Sequence, residues 1–290
     1  MSIVVIPTTA AEHIAQKLTY KKGIEVIFPD KNKDGHRYFP DGEIYTRISR
    51  VNELKGRTVV LHSGCPNQSG GLIELEMLLE ILEKSARPIE VFFTYFPYGQ
   101  QDDVFQAGET NFAENIVKKL TCYYGVDKIY TIDAHFFGRK WVSKYSIVNI
   151  SAANLLMQAA SVDYPGVIYI APDVGSQRRT GLKGAKKQRT NSFVTEIQSD
   201  EELRKLVKDQ VVGTVDDIVE TGGTLINFYD KCKEYGAMEI IALITHGVLP
   251  DGIKRIQDKY SRLYLTNTIL RDEANVDVTN LIWHALKSNL

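Results

Sequence analysis

Short apolar runs rich in β-branched residues recur along the chain with amphipathic stretches between them, and this alternation limits the fold more than any other feature. The runs are Ile3 to Ile6, Ile24 to Phe28, Thr58 to His62, Ile89 to Phe96, Lys128 to Asp133, Val167 to Ala171, Gln210 to Val215, Ile240 to Thr245 and Leu263 to Thr266. Most are apolar at successive positions, so both pleat faces need cover, as in parallel strands flanked by helices. Between them, Leu72, Leu75, Leu78, Leu79 and Leu82 form one helical stripe; Phe112, Ile116, Val117 and Leu120 form a second; Leu225, Phe228, Tyr229 and Cys232 form a third. The pattern predicts an α/β fold with right-handed crossovers. A length of 290 residues suits two domains. The strand and helix pattern before about residue 144 loosely resembles the one after it, which suggests two similar α/β halves, 1–146 and 147–290, with a boundary near Lys144 to Ser151.

Charge narrows the partners. The chain carries 35 Lys+Arg against 36 Asp+Glu, a net charge of -1, which argues against duplex nucleic acid or an anionic membrane as the main partner. The three cysteines, Cys65, Cys122 and Cys232, are widely spaced and form no Cys-x-x-Cys pair, as expected of small buried hydrophobes in a reducing compartment. The apolar run near the N-terminus has no basic segment before it and is too short for a signal peptide. No stretch reaches a membrane span. The expectation is a soluble, cytoplasmic protein.

Four apolar runs lead into polar, chemically capable residues: PYGQQDD after Phe96, DAH after Ile132, PD after Ala171 and DD after Val215. Open parallel sheets bind ligands beyond the carboxyl ends of their strands. The strongest of these signals is VVGTVDDIVETGGTL, Val211 to Leu225. A buried strand is expected to end at the adjacent carboxylates Asp216 and Asp217, after which Thr221, Gly222, Gly223 and Thr224 open an amphipathic helix. Glycines let backbone N–H groups approach a phosphate, the helix N-terminus adds positive potential, and the hydroxyls supply further donors. Carboxylates just before such a cradle are placed to accept hydrogen bonds from sugar hydroxyls, so the segment reads as a site for a sugar 5-phosphate.

This segment resembles the 5-phosphoribosyl motif of the type I phosphoribosyltransferase fold. Phe39-Pro40-Asp41-Gly42-Glu43-Ile44-Tyr45, leading to Arg47, closely resembles the FPDGE segment of ribose-phosphate pyrophosphokinases. The likeness continues in order through Tyr95 to Asp102, Phe105 to Glu109, Asp133-Ala134-His135, Ala171-Pro172-Asp173, Thr245-His246-Gly247 and Thr266-Asn267-Thr268. It implies two phosphoribosyltransferase-like domains, each a mainly parallel sheet flanked by helices, and a role in nucleotide biosynthesis. The implied nucleotide site comprises Phe39, Asp41 and Glu43, reaching adenine from a neighbouring subunit, with Gln100, Gln101 and Asp102 gripping ATP. The implied magnesium ligands are His135 and Asp173. Asp216, Asp217, Thr221, Gly222, Gly223 and Thr224 would hold ribose 5-phosphate, and a homo-oligomer of at least two subunits follows from the shared adenine site. His62, His246 and His284 read as structural.

Arg178 to Arg189, RRTGLKGAKKQR, carries six basic residues and no acid. By resemblance, Lys187 and Arg189 stabilise the diphosphate in flight, with Lys186 the rival for the first role. Three departures stand out. The family's arginine before Gln-Asp is Gln100, which removes a fork of phosphate donors. The stretch from Asp173 to Lys187 is shorter than usual, and a usual Gly-Gly is Gly175-Ser176. The reaction implied is transfer of the β,γ-diphosphate of MgATP to the C1 hydroxyl of ribose 5-phosphate. The alternatives are transfer to a larger ribosyl acceptor such as ADP-ribose, and a catalytically weak regulatory homologue. A phosphoribosyltransferase ranks last, since it needs no adenine-gripping segment.

Overall fold

The computed structural model describes residues 3–66, 68–85, 88–172 and 200–288. It divides the chain into two compact units: residues 1–150 with 268–270 and 279–290, and residues 151–267 with 271–278.

In the first unit, strands β1 (Ile3–Pro7), β2 (Ile24–Val26), β3 (Thr58–Ser63), β4 (Ile89–Tyr95), β5 (Lys128–Ile132) and β6 (Ile147–Ile150) form one sheet in the order β2-β1-β3-β4-β5-β6. Every pairing is parallel. Helices α1 (Glu12–Leu18), α2 (Gln68–Glu83) and α3 (Phe112–Cys122) accompany it. The leucine stripe on α2 and the Ile116-Val117-Leu120 stripe on α3 join Val4, Ile6, Val60 and Phe93 in one buried core. α3 begins where Asn111 accepts a hydrogen bond from the Glu114 N–H at 3.0 Å, a side-chain N-cap.

His62 on β3 is wholly buried, its Nδ1 3.0 Å from Thr8 Oγ1. Burial pushes its imidazole down to about 3, because the charged form loses its hydration. The folded state therefore keeps His62 neutral, while the unfolded chain begins to take up a proton near pH 6.5. Its contribution to stability is full above that pH and is lost as pH falls towards 3, amounting to about 2 to 3 kcal/mol by pH 4.5. A His62→Gln variant, whose amide does not titrate, is expected to show a shallower loss of unfolding free energy between pH 6.5 and 4.5 in urea titrations. A slope equal to the parent's would show that His62 does not titrate on unfolding.

The second unit holds a parallel sheet of β7 (Ile168–Ile170), β8 (Val211–Val219), β9 (Glu239–Gly247) and β10 (Arg262–Leu265) in the order β10-β9-β8-β7. Helices α4 (Ala153–Asp163), α5 (Asp200–Val207), α6 (Gly223–Glu234) and α7 (Pro250–Lys259) belong to it. Its two cores mark the two sheet faces. Leu156, Tyr169, Val215, Leu243 and Tyr264 make one, and Leu203, Val212, Leu225, Ile244 and Ile256 make the other. Sheets covered on both faces explain why these strands read as near-continuous apolar runs.

Helix α8 (Thr279–Lys287) then returns to the first unit. Lys21 Nζ donates to Asn280 Oδ1 at 2.6 Å and Trp283 Nε1 to the Lys22 carbonyl at 3.2 Å. Arg57, paired with buried Glu90 at 2.6 Å, also donates to the Tyr130 hydroxyl and the Leu286 carbonyl. Residues 147–150 and 279–290, grouped with the second half in the sequence reading, thus lie in the first unit, because β6 pairs with β5 and α8 packs on α1.

Candidate active site

β8 does not stop at the acid pair, as the sequence suggested, but runs on to Val219, with Asp216 opposite Ile244 and Ile218 opposite His246 on β9. Asp216 is 5% exposed and Asp217 1%. Strand alternation holds up to this point, Val212 joining one core and Val215 the other. It lapses beyond, for Val219 packs with Val212's cluster although it lies an odd number of positions along the strand from Val212. Asp216 Oδ1 accepts from the Asp217 N–H at 3.0 Å.

The turn after β8 is shaped from across the unit. Gly222 caps α6 at φ +77°, a left-handed conformation that favours glycine. A Cβ on Gly252 of α7 would lie 1.6 Å from the Glu220 carbonyl oxygen, so only glycine lets α7 approach so closely. Arg255 donates to the Thr221 carbonyl at 2.7 Å, and the Tyr260 hydroxyl to the Leu225 carbonyl at 2.7 Å. A Cβ on Gly223 would meet only Thr221 Oγ1, at 3.8 Å. The first N–H groups of α6 lack intrahelical acceptors, so the cradle offers an anion several donors and positive potential.

In the first unit, the loop after β4 lies against the turn after β5: a Cβ on Gly99 would come 3.8 Å from His135 Cβ. Gln100 and Gln101 are exposed, and His135 is half-buried. Asp102, expected to grip ATP, is 2% exposed, and Arg139 donates to both its oxygens at 3.0 and 2.9 Å. Trp141 Nε1 donates to the Asp102 carbonyl at 3.0 Å. Asp102 therefore holds the loop, and the loop's exposed amides are Gln100 and Gln101.

Phe39, Asp41 and Glu43 lie on an exposed turn closed by a Tyr38–Ile44 bridge and by the Phe39 N–H to the Glu43 carbonyl at 2.8 Å. The Asp41 carboxylate accepts the Glu43 N–H at 3.1 Å. Below it, Arg37 is buried against Glu74 and Glu12 at 2.5 and 3.0 Å. Burial pushes the Glu74 carboxyl up and Arg37 pulls it back. The turn thus stands on a buried ion pair with its ring and two carboxylates in solvent, as suits a surface that meets a planar ligand or another chain.

Comparison with known proteins gives the family. A family model for the N-terminal domain of ribose phosphate pyrophosphokinase matches residues 3–125. The ribose-phosphate pyrophosphokinase of Pyrococcus abyssi (strain GE5 / Orsay) is 30% identical over 259 residues, 84% of this chain and 87% of that protein. The chain belongs to the ribose-phosphate pyrophosphokinase family. It is thereby a diphosphotransferase by family. A further ribose-phosphate pyrophosphokinase, from Methanothermobacter thermautotrophicus, is 31% identical over 265 residues, covering 87% of this chain and 90% of its own. The fold matches that of phosphoribosylpyrophosphate synthetase from Mycobacterium smegmatis with a TM-score of 0.79, 22% identity, and cover of 100% of this chain and 99% of that one.

Within the family frame, the structure brings Gly99 to His135 in one unit, and Asp216, Asp217 and Thr221 to Thr224 into one strand-turn-helix in the other. Asp173, Lys186, Lys187 and Arg189, with Gly175-Ser176, lie outside the described residues. Among the described residues, no three His, Cys, Asp or Glu side chains are grouped to hold a metal ion. Magnesium prefers oxygen ligands and keeps several waters, so the His135 imidazole would serve it only beside nucleotide phosphates that supply those oxygens. No described helix is long and apolar enough to cross a membrane. Sequence reasoning missed Arg139, Gly252 and Arg255. Gly252, following Pro250-Asp251, reads as ordinary helix-start residues, and nothing in the sequence pairs it with residue 220.

Proposed function

We propose that this chain transfers the β,γ-diphosphate of MgATP to the C1 hydroxyl of ribose 5-phosphate, giving 5-phosphoribosyl 1-diphosphate and AMP. The observation that carries this reading is the glycine-shaped N-terminus of α6 with two buried carboxylates just before it. Thr221, Gly222, Gly223 and Thr224 would take the 5-phosphate, and Asp216 and Asp217 the ribose hydroxyls, holding the C1 oxygen for attack. Phe39, Asp41 and Glu43 would take the adenine of ATP bound to another subunit, so the working form is a homo-oligomer of two or more chains. Gln100 and Gln101 would contact the nucleotide. Magnesium, held by His135 and by Asp173, would neutralise phosphate charge when bound, and Lys187 and Arg189 would stabilise the diphosphate as it moves. The two units are read as the two phosphoribosyltransferase-like domains.

Phosphorus NMR of the purified protein with MgATP and ribose 5-phosphate is expected to show AMP and a C1 diphosphate growing together. The short stretch from Asp173 to Lys187 makes ADP-ribose a second acceptor to test, and the neutral amide at Gln100 suits a catalytically weak homologue. A faster reaction with ADP-ribose would transfer the assignment to the larger acceptor. AMP from neither would reduce the chain to a homologue that serves other subunits.

A further inference from the structure

The first unit contains a cross-brace between the loop after β4 and the turn after β5 that the proposed reaction does not itself require. Asp102 is a buried carboxylate, its side chain 3% exposed, and Arg139 faces it with two parallel donors. Both ends of the residue are fixed, for Trp141 takes the Asp102 carbonyl from the same turn. Trp141 is itself anchored in the core against Phe136, ring centroids 4.9 Å apart. The brace continues outward. Arg139 Nη1 reaches Asp103 at 3.1 Å, and its guanidinium lies 5.5 Å over the ring of Phe105, which is 66% exposed. The single guanidinium of Arg139, four positions after His135 in the chain, thus holds residues 102, 103 and 105.

Geometry of this kind does more than bind two loops. A bidentate guanidinium–carboxylate pair fixes direction as well as distance. Here the fixed direction is that of the backbone bearing Gln100 and Gln101, relative to the turn bearing His135. Tyr98, at φ +54°, shows that the loop backbone is held in a conformation side chains seldom adopt. Asp102 and Asp103 both pair with Arg139 and offset its charge, so it is read as a brace and not as a phosphate ligand.

We propose that Arg139 is a positioning residue for the nucleotide: through Asp102 it sets the Gln100-Gln101 loop against the His135 turn, and so governs MgATP affinity without touching the acceptor. The proposal rests on the reading of this loop as part of the ATP site. The test compares steady-state kinetics of the full chain with Arg139→Ala, Arg139→Lys and an Asp102→Asn/Arg139→Gln pair, with thermal unfolding of each. Arg139→Ala is expected to raise KM for MgATP about tenfold, the loss of one charged hydrogen-bonded contact, while KM for ribose 5-phosphate stays within about twofold. Arg139→Lys, with a point charge instead of a planar fork, should recover part of that loss. The paired amides, able to bond to each other without charge, should recover more than either single change. A folded Arg139→Ala variant with unchanged KM for MgATP overturns the proposal, as does an equal rise in both KM values. Parent protein that makes no AMP refutes the reaction, and the same variants are then compared by MgATP binding in calorimetry, where an unchanged Kd refutes the brace.

Discussion

Replacing Asp216 and Asp217 together with asparagine is expected to lower kcat/KM for ribose 5-phosphate at least about a hundredfold while leaving the protein about as stable as its parent. The loss follows from two charge-assisted hydrogen bonds to sugar hydroxyls, each contributing about 1.5 to 3 kcal/mol. Stability is expected to change little. Asp216 and Asp217 are 5% and 1% exposed, and asparagine keeps their shape and an oxygen that can accept the Asp217 N–H as Asp216 Oδ1 does. The two outcomes together separate a binding role from a structural one. Kinetics with varied acceptor, set beside thermal unfolding, measure both. A double variant that melts well below the parent with acceptor KM unchanged would show the acids to be part of the framework.

Gly252→Ala is expected to damage the same site from a distance. One methyl group would stand 1.6 Å from the Glu220 oxygen and 2.7 Å from its carbonyl carbon, both backbone atoms that have no rotamer to escape into. α7 and the 220–222 turn must therefore separate, at a cost of about 3 kcal/mol or more. Gly222 moves with them, because its own Cβ position already lies 3.3 Å from Ile256 Cδ1 on α7. The expected result is a lowered unfolding midpoint, a raised KM for ribose 5-phosphate and an unchanged KM for MgATP. Gly35→Ala is the control: at φ +80° with nothing within 4 Å of its Cβ position, it carries only the left-handed backbone cost of about 1 kcal/mol. A Gly252→Ala protein as stable as Gly35→Ala would mean that α7 does not press on the turn.

These predictions draw on features of unequal visibility in the sequence. The parallel sheets were legible because a strand covered on both faces must be apolar at successive positions, as β3 and β4 are throughout. The turn that opens α6 was legible because its residues are consecutive and its glycines have a geometric duty, seen at Gly222. The end of β8 was misjudged, since two acids look like the close of a buried strand; pairing with β9 carries the ladder through them. β6 escaped notice because its four residues are all only half-buried and include Asn149, which accepts from Thr131 and the Ala134 N–H. The partner of Asp102 was not legible. Arg139 is 37 positions away, and no local periodicity reports a pairing across that span.

The first unit is built from three stretches of chain, the last of them carrying α8. Ile282 and Leu286 on that helix are wholly buried, and Arg57 uses the Leu286 carbonyl. On the ribosome, all six strands of the first sheet emerge long before α8, and every residue of the second unit emerges in between. The second unit therefore has its whole sequence before α1 has α8 to pack on. The pairing of α1 with α8 can close only after the second unit has been made.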